Sequence, residues 1–288
     1  MISIRRRLIA VGVLSLLTGC AHPPATRPGI APDALTVRVM TYNIQSGGGD
    51  LTRVAQVIRA AAPDVIGLQE VDVHWATRSN FADQATALAE QLGMQVRFAP
   101  IYQLPGAQPG DPPREFGVAL LSRLPIATWR NDTITRLSTQ QANPVPAPAP
   151  GLLEAVIDAH GVPVRVFVTH LDYRADPAVR VQQVSEMLGY LGDGSGPTLL
   201  LGDLNATPDA PELQPLFQRL HDSMADRGEA LTYPAEAPIK RIDYILASRH
   251  FETRTASVPA TTAADHRPVI AELLLYTNSE KSRVEGAR

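Results

Sequence analysis

"LLLGDLNATPD", residues Leu199–Asp209, is the stretch on which the reading of this chain turns. Three leucines in a row suggest a strand buried on both faces, and Gly202 breaks the run. Asp203 and Asn205 follow at a spacing of two, and residues two apart in extended chain point the same way. A buried strand ending like this delivers a carboxylate and a carboxamide to one small site. The same letters also spell a turn in which Asp and Asn cap their own backbone and Pro208 leads the chain away. Recurrence of the pattern elsewhere separates the two readings.

The pattern recurs. Asn43 follows the apolar "VRVMTY", Glu70 closes "DVIGLQE", and His170 and Asp172 end "VFVTHLD". Asp243 lies inside "RIDYIL", and Asp265-His266 precede the last apolar run. A carboxylate at the end of a buried strand is costly unless it is paired or holds a metal. If these strands share a sheet, their polar ends converge on one rim.

From Leu35 to about Tyr276 the chain alternates strand-like and helix-like segments without a long linker, as expected of a single α/β domain. Strands are expected at 35–44, 64–70, 117–126, 197–203, 241–248 and 269–276, with a hairpin over 152–171 that turns at His160-Gly161. A helix is expected at 51–62, capped by Asp50 and stopped by Pro63, with Leu51, Val54, Ala55, Ile58 and Ala62 on its apolar face. A second runs over 82–92 and ends at Gly93. A third starts at Asp176-Pro177, turns Val181, Val184, Leu188 and Leu191 inward and stops at Gly192. A short helical turn is expected near 210–220, and "NPVPAPAP" (143–150) reads as a proline-rich loop.

With 288 residues, 44% hydrophobic and 19% charged, the chain is ordinary for a soluble globular protein. Its beginning is not. Arg5, Arg6 and Arg7 precede the apolar "LIAVGVLSLL" (8–17), which is too short for a permanent membrane span and reads as a secretory signal. The following "LTGC" resembles the lipobox of bacterial lipoproteins, which implies cleavage before Cys20 and acylation of that residue. The expected layout is a signal at 1–19, a Pro/Ala-rich tether at 20–34, the folded domain at 35–277 and a tail at 278–288. Cys20 is the single cysteine, so the fold can contain no internal disulfide. Loss of the signal removes three arginines and no acids, moving the formal charge from -3 to -6. Such a chain has no bulk attraction for nucleic acid or anionic lipid.

"MTYNIQSG", "DVIGLQEVD", "FGVALLSRLPI", "VTHLDYR", "LLGDLNATPD", "RIDYIL" and "ADHRPV" resemble, in this order, the motifs of the endonuclease/exonuclease/phosphatase superfamily. The resemblance runs from about Val37 to Leu275. It implies a deoxyribonuclease I-like fold, a four-layer α/β sandwich of two packed sheets flanked by helices. It also implies metal-dependent hydrolysis of a phosphate ester. In the metal site Glu70 resembles the principal ligand and Asn43 and Asp265 its helpers, with Mg²⁺ or Mn²⁺ as the ion. Asp203 resembles the residue that activates the attacking water and Asn205 one that bonds the phosphate. His170 and His266 resemble the pair flanking that phosphate, and Asp243 the acid that fixes one of them or assists the leaving group. Many bacterial members carry Asn where this chain has Val118, which bears on the substrate.

Tyr173 and Arg174 follow the His170 motif and Arg78 lies in the loop after Glu70, so these three are the candidate substrate contacts. His22, His160 and His250 read as non-catalytic, His250 in a surface loop; His221 and Asp222 read as structural. Gly47-Gly48-Gly49 reads as a flexible turn, since it lacks the Lys and Ser/Thr of a P-loop. The expected substrate is a lipid-linked or small phosphodiester at the cell envelope, hydrolysed by a monomer held to a membrane, most simply the outer one, through lipidated Cys20. The alternatives are a nuclease using a patch around Arg78, Arg174 and Arg241, a phosphomonoesterase, and a silent lipoprotein that binds a phosphorylated ligand. Two or more acyl chains anchor a protein stably where one does not. Cys20→Ala should therefore release the protein from membranes and abolish labelling by a fatty-acid probe; continued membrane partition with labelling contradicts the anchor.

Overall fold

The computed structural model describes residues 34–276 apart from Glu229, so the signal, nearly all of the tether and the tail, Cys20 included, lie outside the described residues. The first half of the chain runs β1 (Leu35–Asn43), α1 (Leu51–Ala61), β2 (Val65–Val73), α2 (Gln84–Leu92), β3 (Gln95–Leu104) and β4 (Arg114–Ser122). The second runs β5 (Ile126–Arg136), β6 (Ala147–Ala159), β7 (Val162–His170), α3 (Ala178–Leu191), β8 (Thr198–Asp203) and α4 (Gln214–Phe217). It closes with β9 (His221–Asp222), β10 (Asp243–Ala247), β11 (Phe251–Ser257) and β12 (Val269–Leu275). Two six-stranded sheets result, ordered β11-β12-β1-β2-β4-β3 and β5-β6-β7-β8-β10-β9.

Each sheet holds one parallel pair, β1 with β2 and β7 with β8, joined by the crossover helices α1 and α3. Parallel strands end at the same edge, so each crossover brings two strand ends to one rim. Period-two alternation sorts the core. Val37 and Val39, Val166 and Val168, Leu199 and Leu201, and Ile245 and Ala247 face the other sheet. Met40 and Tyr42 face α1 and α2, while Phe167, Leu200 and Tyr244 face α3 and α4. The architecture is therefore the expected sandwich of two packed sheets flanked by helices.

The ends of α1 and α2 follow the sequence, while α3 starts one residue later than expected, with Pro177 rather than Asp176 at its N-cap. Asp50 Oδ1 accepts from Thr52 N at 2.9 Å, and Asp83 and Gly93 bracket α2. Ala62 is not on the buried face; it is the left-handed C-cap, at φ 46°. In α3 the buried face is rotated from the expected one. Val181 is 52% exposed, while Val179, Arg180, Gln183, Val184, Met187 and Leu191 turn inward. Arg180 accounts for the shift, since its guanidinium pairs with buried Glu212 at 2.9 Å.

Three strands depart from expectation because they lie at sheet edges: β5 and β11, whose sequences are largely polar, and β3, which is interrupted by Pro100 and mostly half-exposed. The expected run 117–126 is split by a turn between β4 and β5. "NPVPAPAP" is only partly a loop, because Ala147–Pro150 begins β6. There β6 pairs with β5 alone, while its pairing with β7 covers Leu153–Ala159, so Pro148 and Pro150 interrupt no ladder on the second side. His250 is buried against the Ser248 hydroxyl, not on the surface. Gly47-Gly48-Gly49 forms a 3₁₀ turn, and Val118 sits between the sheets.

The sheets approach closely at Gly67, three residues before Glu70. A Cβ on Gly67 of β2 would stand 2.8 Å from Leu201 Cβ and 3.1 Å from Val168 Cγ1. Gly67→Ala should overpack this contact and lower stability by about 1–3 kcal/mol. Urea unfolding measures it, and an unchanged midpoint contradicts the close approach.

Candidate active site

The inward-facing rows do not stop at the last apolar residue. One step beyond Val39 and Thr41 stands Asn43; beyond Val168, His170; beyond Leu201, Asp203; and before Ile245, Asp243. Strand register sets them side by side, with Asp203 opposite His170 in one pairing and opposite Asp243 in the other. Glu70 breaks this parity. Alternation from Val65 would turn it toward the helices, but the pairing of β2 with β4 slips after Leu68 and Glu70 takes φ 55°. That irregularity brings its carboxylate within 3.0 Å of Asn43 Nδ2. Asn205 also sits at positive φ, a conformation asparagine tolerates, so the chain turns sharply after Asp203.

Asp203 is the centre of the group. Only 1% exposed, it accepts from Asn43 Nδ2 at 3.1 Å and from Asn205 N at 2.9 Å. Its Oδ2 also lies 3.6 Å from His170 Nε2 and 3.7 Å from His266 Nε2. Burial, then the Asp243 charge, pushes its pKa up to about 6, against the two histidines that favour the anion. His266 Nδ1 meets Asp243 Oδ2 at 2.9 Å. Burial would depress that imidazolium, but Asp243 and then Asp203 outweigh it and raise the pKa to about 10. At neutral pH a charged His266 thus bridges two carboxylates. Asp265 is raised too, by burial first and then by the Glu70 charge.

Donor chemistry fits a divalent ion. One ligand atom each from Asp203, Asp243 and His266 lies within 4.8 Å of the others. Asp243 Oδ1 and Asp265 Oδ1 are buried with no hydrogen-bond partner among the described residues, a state compatible with cation ligation. A protonated histidine cannot ligate, so the charged His266 directs a hard cation toward carboxylate oxygens.

The cleft over this cluster, about 350 Å³, is lined by Glu70, His170, Asp203, Asn205, Asp265 and His266, the expected constellation apart from Asn43 and Asp243 behind it. Tyr173, 64% exposed, stands at its edge. Arg78 and Arg174 do not line it. Arg78 is clamped by Asp72 through two hydrogen bonds of 2.8 and 2.9 Å, and Arg174 pairs with Asp172. Arg241 likewise pairs with Asp222. The expected basic patch is therefore neutralised by acids that lie elsewhere in the sequence or beside it. His74 is turned away onto the Phe81 carbonyl.

Sequence reasoning missed Tyr233, Lys240 and Ile242, which also line the cleft. Tyr233 packs on the His266 ring with centroids 4.7 Å apart, and backbone bonds between Tyr233 and Lys240 close the loop that carries both. The available signal was Lys240, the single lysine between residues 35 and 276.

A two-sheet sandwich with acids, amides and histidines gathered on one rim is the frame of enzymes that hydrolyse phosphate esters. The chain belongs to the Endonuclease/Exonuclease/phosphatase family, whose model matches residues 40–266. It is similar to an endonuclease/exonuclease/phosphatase from Beutenbergia cavernae, with 25% identity, a TM-score of 0.65, and coverage of 84% of this chain and 72% of that one. The human Nocturnin catalytic domain with a bound sulfate anion shares the fold at 19% identity and TM-score 0.61, over 83% and 93% of the two chains. A mannosyl-6-phosphatase of Bacteroides thetaiotaomicron does so at 18% and 0.57, over 82% and 99%. No curated protein matches the chain at a significant level.

A buried carboxylate whose folded pKa is raised above its unfolded 3.8 to about 6 destabilises the fold once the pH exceeds that range. Asp203→Asn should therefore raise the melting temperature of the metal-free protein at pH 7, by about 2–4 °C per kcal/mol relieved. An unchanged or lowered melting temperature contradicts this account of its environment.

Proposed function

We propose that the protein is a divalent-metal-dependent phosphodiesterase, acting on a lipid-linked or small phosphodiester at the cell envelope. The observation that carries the reading is Asp203: a carboxylate sealed from bulk water, raised to about 6 and aimed with two histidines into one cleft. A base with a pKa near the working pH is the efficient one.

Asp203 takes the proton of a water in the cleft as that water's oxygen bonds to phosphorus and the ester P–O bond breaks. Asn43 and the Asn205 backbone N–H hold the carboxylate in register for that transfer. His170 and His266 offer Nε2 protons to the phosphoryl oxygens as charge builds there, and His266 returns a proton to the departing oxygen. Asp243 keeps His266 charged and oriented through its Nδ1. Glu70 and Asp265, with Asn43 bonded to Glu70, are the residues that would hold Mg²⁺ or Mn²⁺. When bound, the ion supplies positive charge to the phosphoryl oxygens.

Two features favour a small or lipid-linked diester over a nucleic acid. The formal charge without the first nineteen residues is -6, and each arginine of the expected patch already has a carboxylate partner. The "LTGC" segment supports acylation at Cys20 and a place at the membrane, where lipid head groups are concentrated. Cleavage of a monoester, as the name of the Bacteroides phosphatase describes for that protein, is the competing outcome. Turnover of the soluble domain on phospholipid vesicles, plasmid DNA and phosphomonoesters decides among them; efficient DNA cleavage without lipid or small-diester turnover overturns the ranking.

Chelation should abolish activity and Mg²⁺ or Mn²⁺ should restore it. Glu70→Gln should raise the half-saturating metal concentration more than about tenfold. Full activity in excess chelator contradicts the metal requirement.

A further inference from the structure

Beside the cleft, and joined to it through Glu70, His170 and Tyr173, lies a second cavity of about 200 Å³. Its walls are Ile101, Tyr102, Phe116, Leu137 and Leu171. Tyr102 and Phe116 stack at 6.2 Å and 19°, and Trp75 backs both at 6.3 and 5.7 Å. The reaction described above uses none of these residues.

Arg136 also lines this cavity. It is 8% exposed, and its guanidinium meets three carbonyls: Pro150 at 2.8 Å, and Gly151 and His170 at 2.9 Å. No carboxylate pairs with it among the described residues. Three of its five N–H groups are used by these bonds, leaving two. Burial depresses its pKa to about 10, against the charges of Tyr102 and Asp172. Gly151 makes the arrangement possible, since at φ 111° a Cβ there would stand 2.9 Å from the guanidinium and 2.2 Å from Ile101.

The remaining polar groups also donate. Gln183 Oε1 accepts from Asp172 N, and its amide nitrogen, a donor, has no partner among the described residues. The Tyr102 hydroxyl accepts from Thr139 N and keeps its own proton to give. The acceptors are occupied: Asp172 by Arg174, and Glu70 by Asn43 and the proposed metal. A sugar or inositol would bring hydroxyl protons that find few acceptors here, and buried unpaired donors are costly. A phosphate or other strongly hydrated anion would face apolar walls. In scale, an apolar cavity of about 150 Å³ holds one benzene ring. A pair of acyl chains does not fit.

We propose that this cavity is a substrate subsite for a planar aromatic ring whose edge carries hydrogen-bond acceptors, attached next to the scissile phosphate. The ring stacks on Tyr102 and Phe116, and its acceptors take the free N–H groups of Arg136 and Gln183. The assignment rests on the phosphate-ester reading and narrows it to diesters that carry such a ring on one side.

Calorimetric titration of the Mg²⁺-loaded protein tests this with four phosphonates: methyl, cyclohexylmethyl, benzyl and 4-nitrobenzyl. Binding should tighten from cyclohexylmethyl to benzyl to 4-nitrobenzyl, by about tenfold across the series. Leu137→Trp, which fills the cavity, should erase that preference and leave methylphosphonate affinity unchanged. Tyr102→Leu, which removes the ring wall and its hydroxyl, should reduce it even if the first variant folds poorly. Equal or weaker binding of 4-nitrobenzylphosphonate relative to the cyclohexylmethyl compound overturns the subsite, as does a preference that survives both substitutions. If methylphosphonate itself fails to bind the wild-type protein, the phosphate-ester reading falls, and the subsite with it.

Discussion

Asp203 carries its charge at the edge of an apolar interior, where an unpaired carboxylate costs several kcal/mol. The surrounding structure answers that cost from both sheets. Asn43 arrives from β1 and His170 from β7, while His266, kept charged by Asp243 of β10, comes from the segment leading into β12. Removing any one would leave another partly unpaired, so the rim behaves as one network. The network forms where the two parallel pairs end, beside a contact between the sheets so close that Gly67 has no room for a side chain. Topology, close packing and site electrostatics are thus consequences of a single requirement, that this acid be buried yet chargeable.

The same requirement divides labour across the rim. On one side a charged imidazolium is held between Asp203 and Asp243. On the other, Glu70 and Asp265 face the cleft with oxygen atoms that protein donors do not satisfy in full. A cation on that second side and a base in the middle leave room for one phosphoryl group over the cleft. Beyond Glu70 and His170 the cleft joins the aromatic cavity that holds Arg136, while the surface arginines Arg78 and Arg174 are paired with carboxylates.

Much of this was legible from period-two alternation alone. Asn43, His170, Asp203 and Asp243 each extend an inward row by one step, and a reader of the letters finds all four. Glu70 obeys a different rule, because a slip in strand pairing turns it, and only the family resemblance singled out its role. The edge strands β3, β5 and β11 were missed since one open side lets polar residues and prolines enter without breaking ladders. Val181 was misplaced because a buried ion pair, Arg180 with Glu212, rotates α3 in a way hydrophobicity does not register. The arginine patch was overread for a related reason: the partners Asp72 and Asp222 become neighbours of Arg78 and Arg241 only once the chain has folded.

Whether Asp203 is the base is tested most directly by the pH dependence of kcat/KM for the metal-saturated enzyme. A base must be deprotonated to act, so the rate should fall tenfold per pH unit on an acid limb set by this carboxylate, which burial and Asp243 push up and a bound cation draws back down. In Asp203→Asn the residual rate should be lower by about 10²–10⁴ and the acid limb should vanish. A wild-type profile with no acid limb, or an acid limb that persists in the variant, contradicts the account.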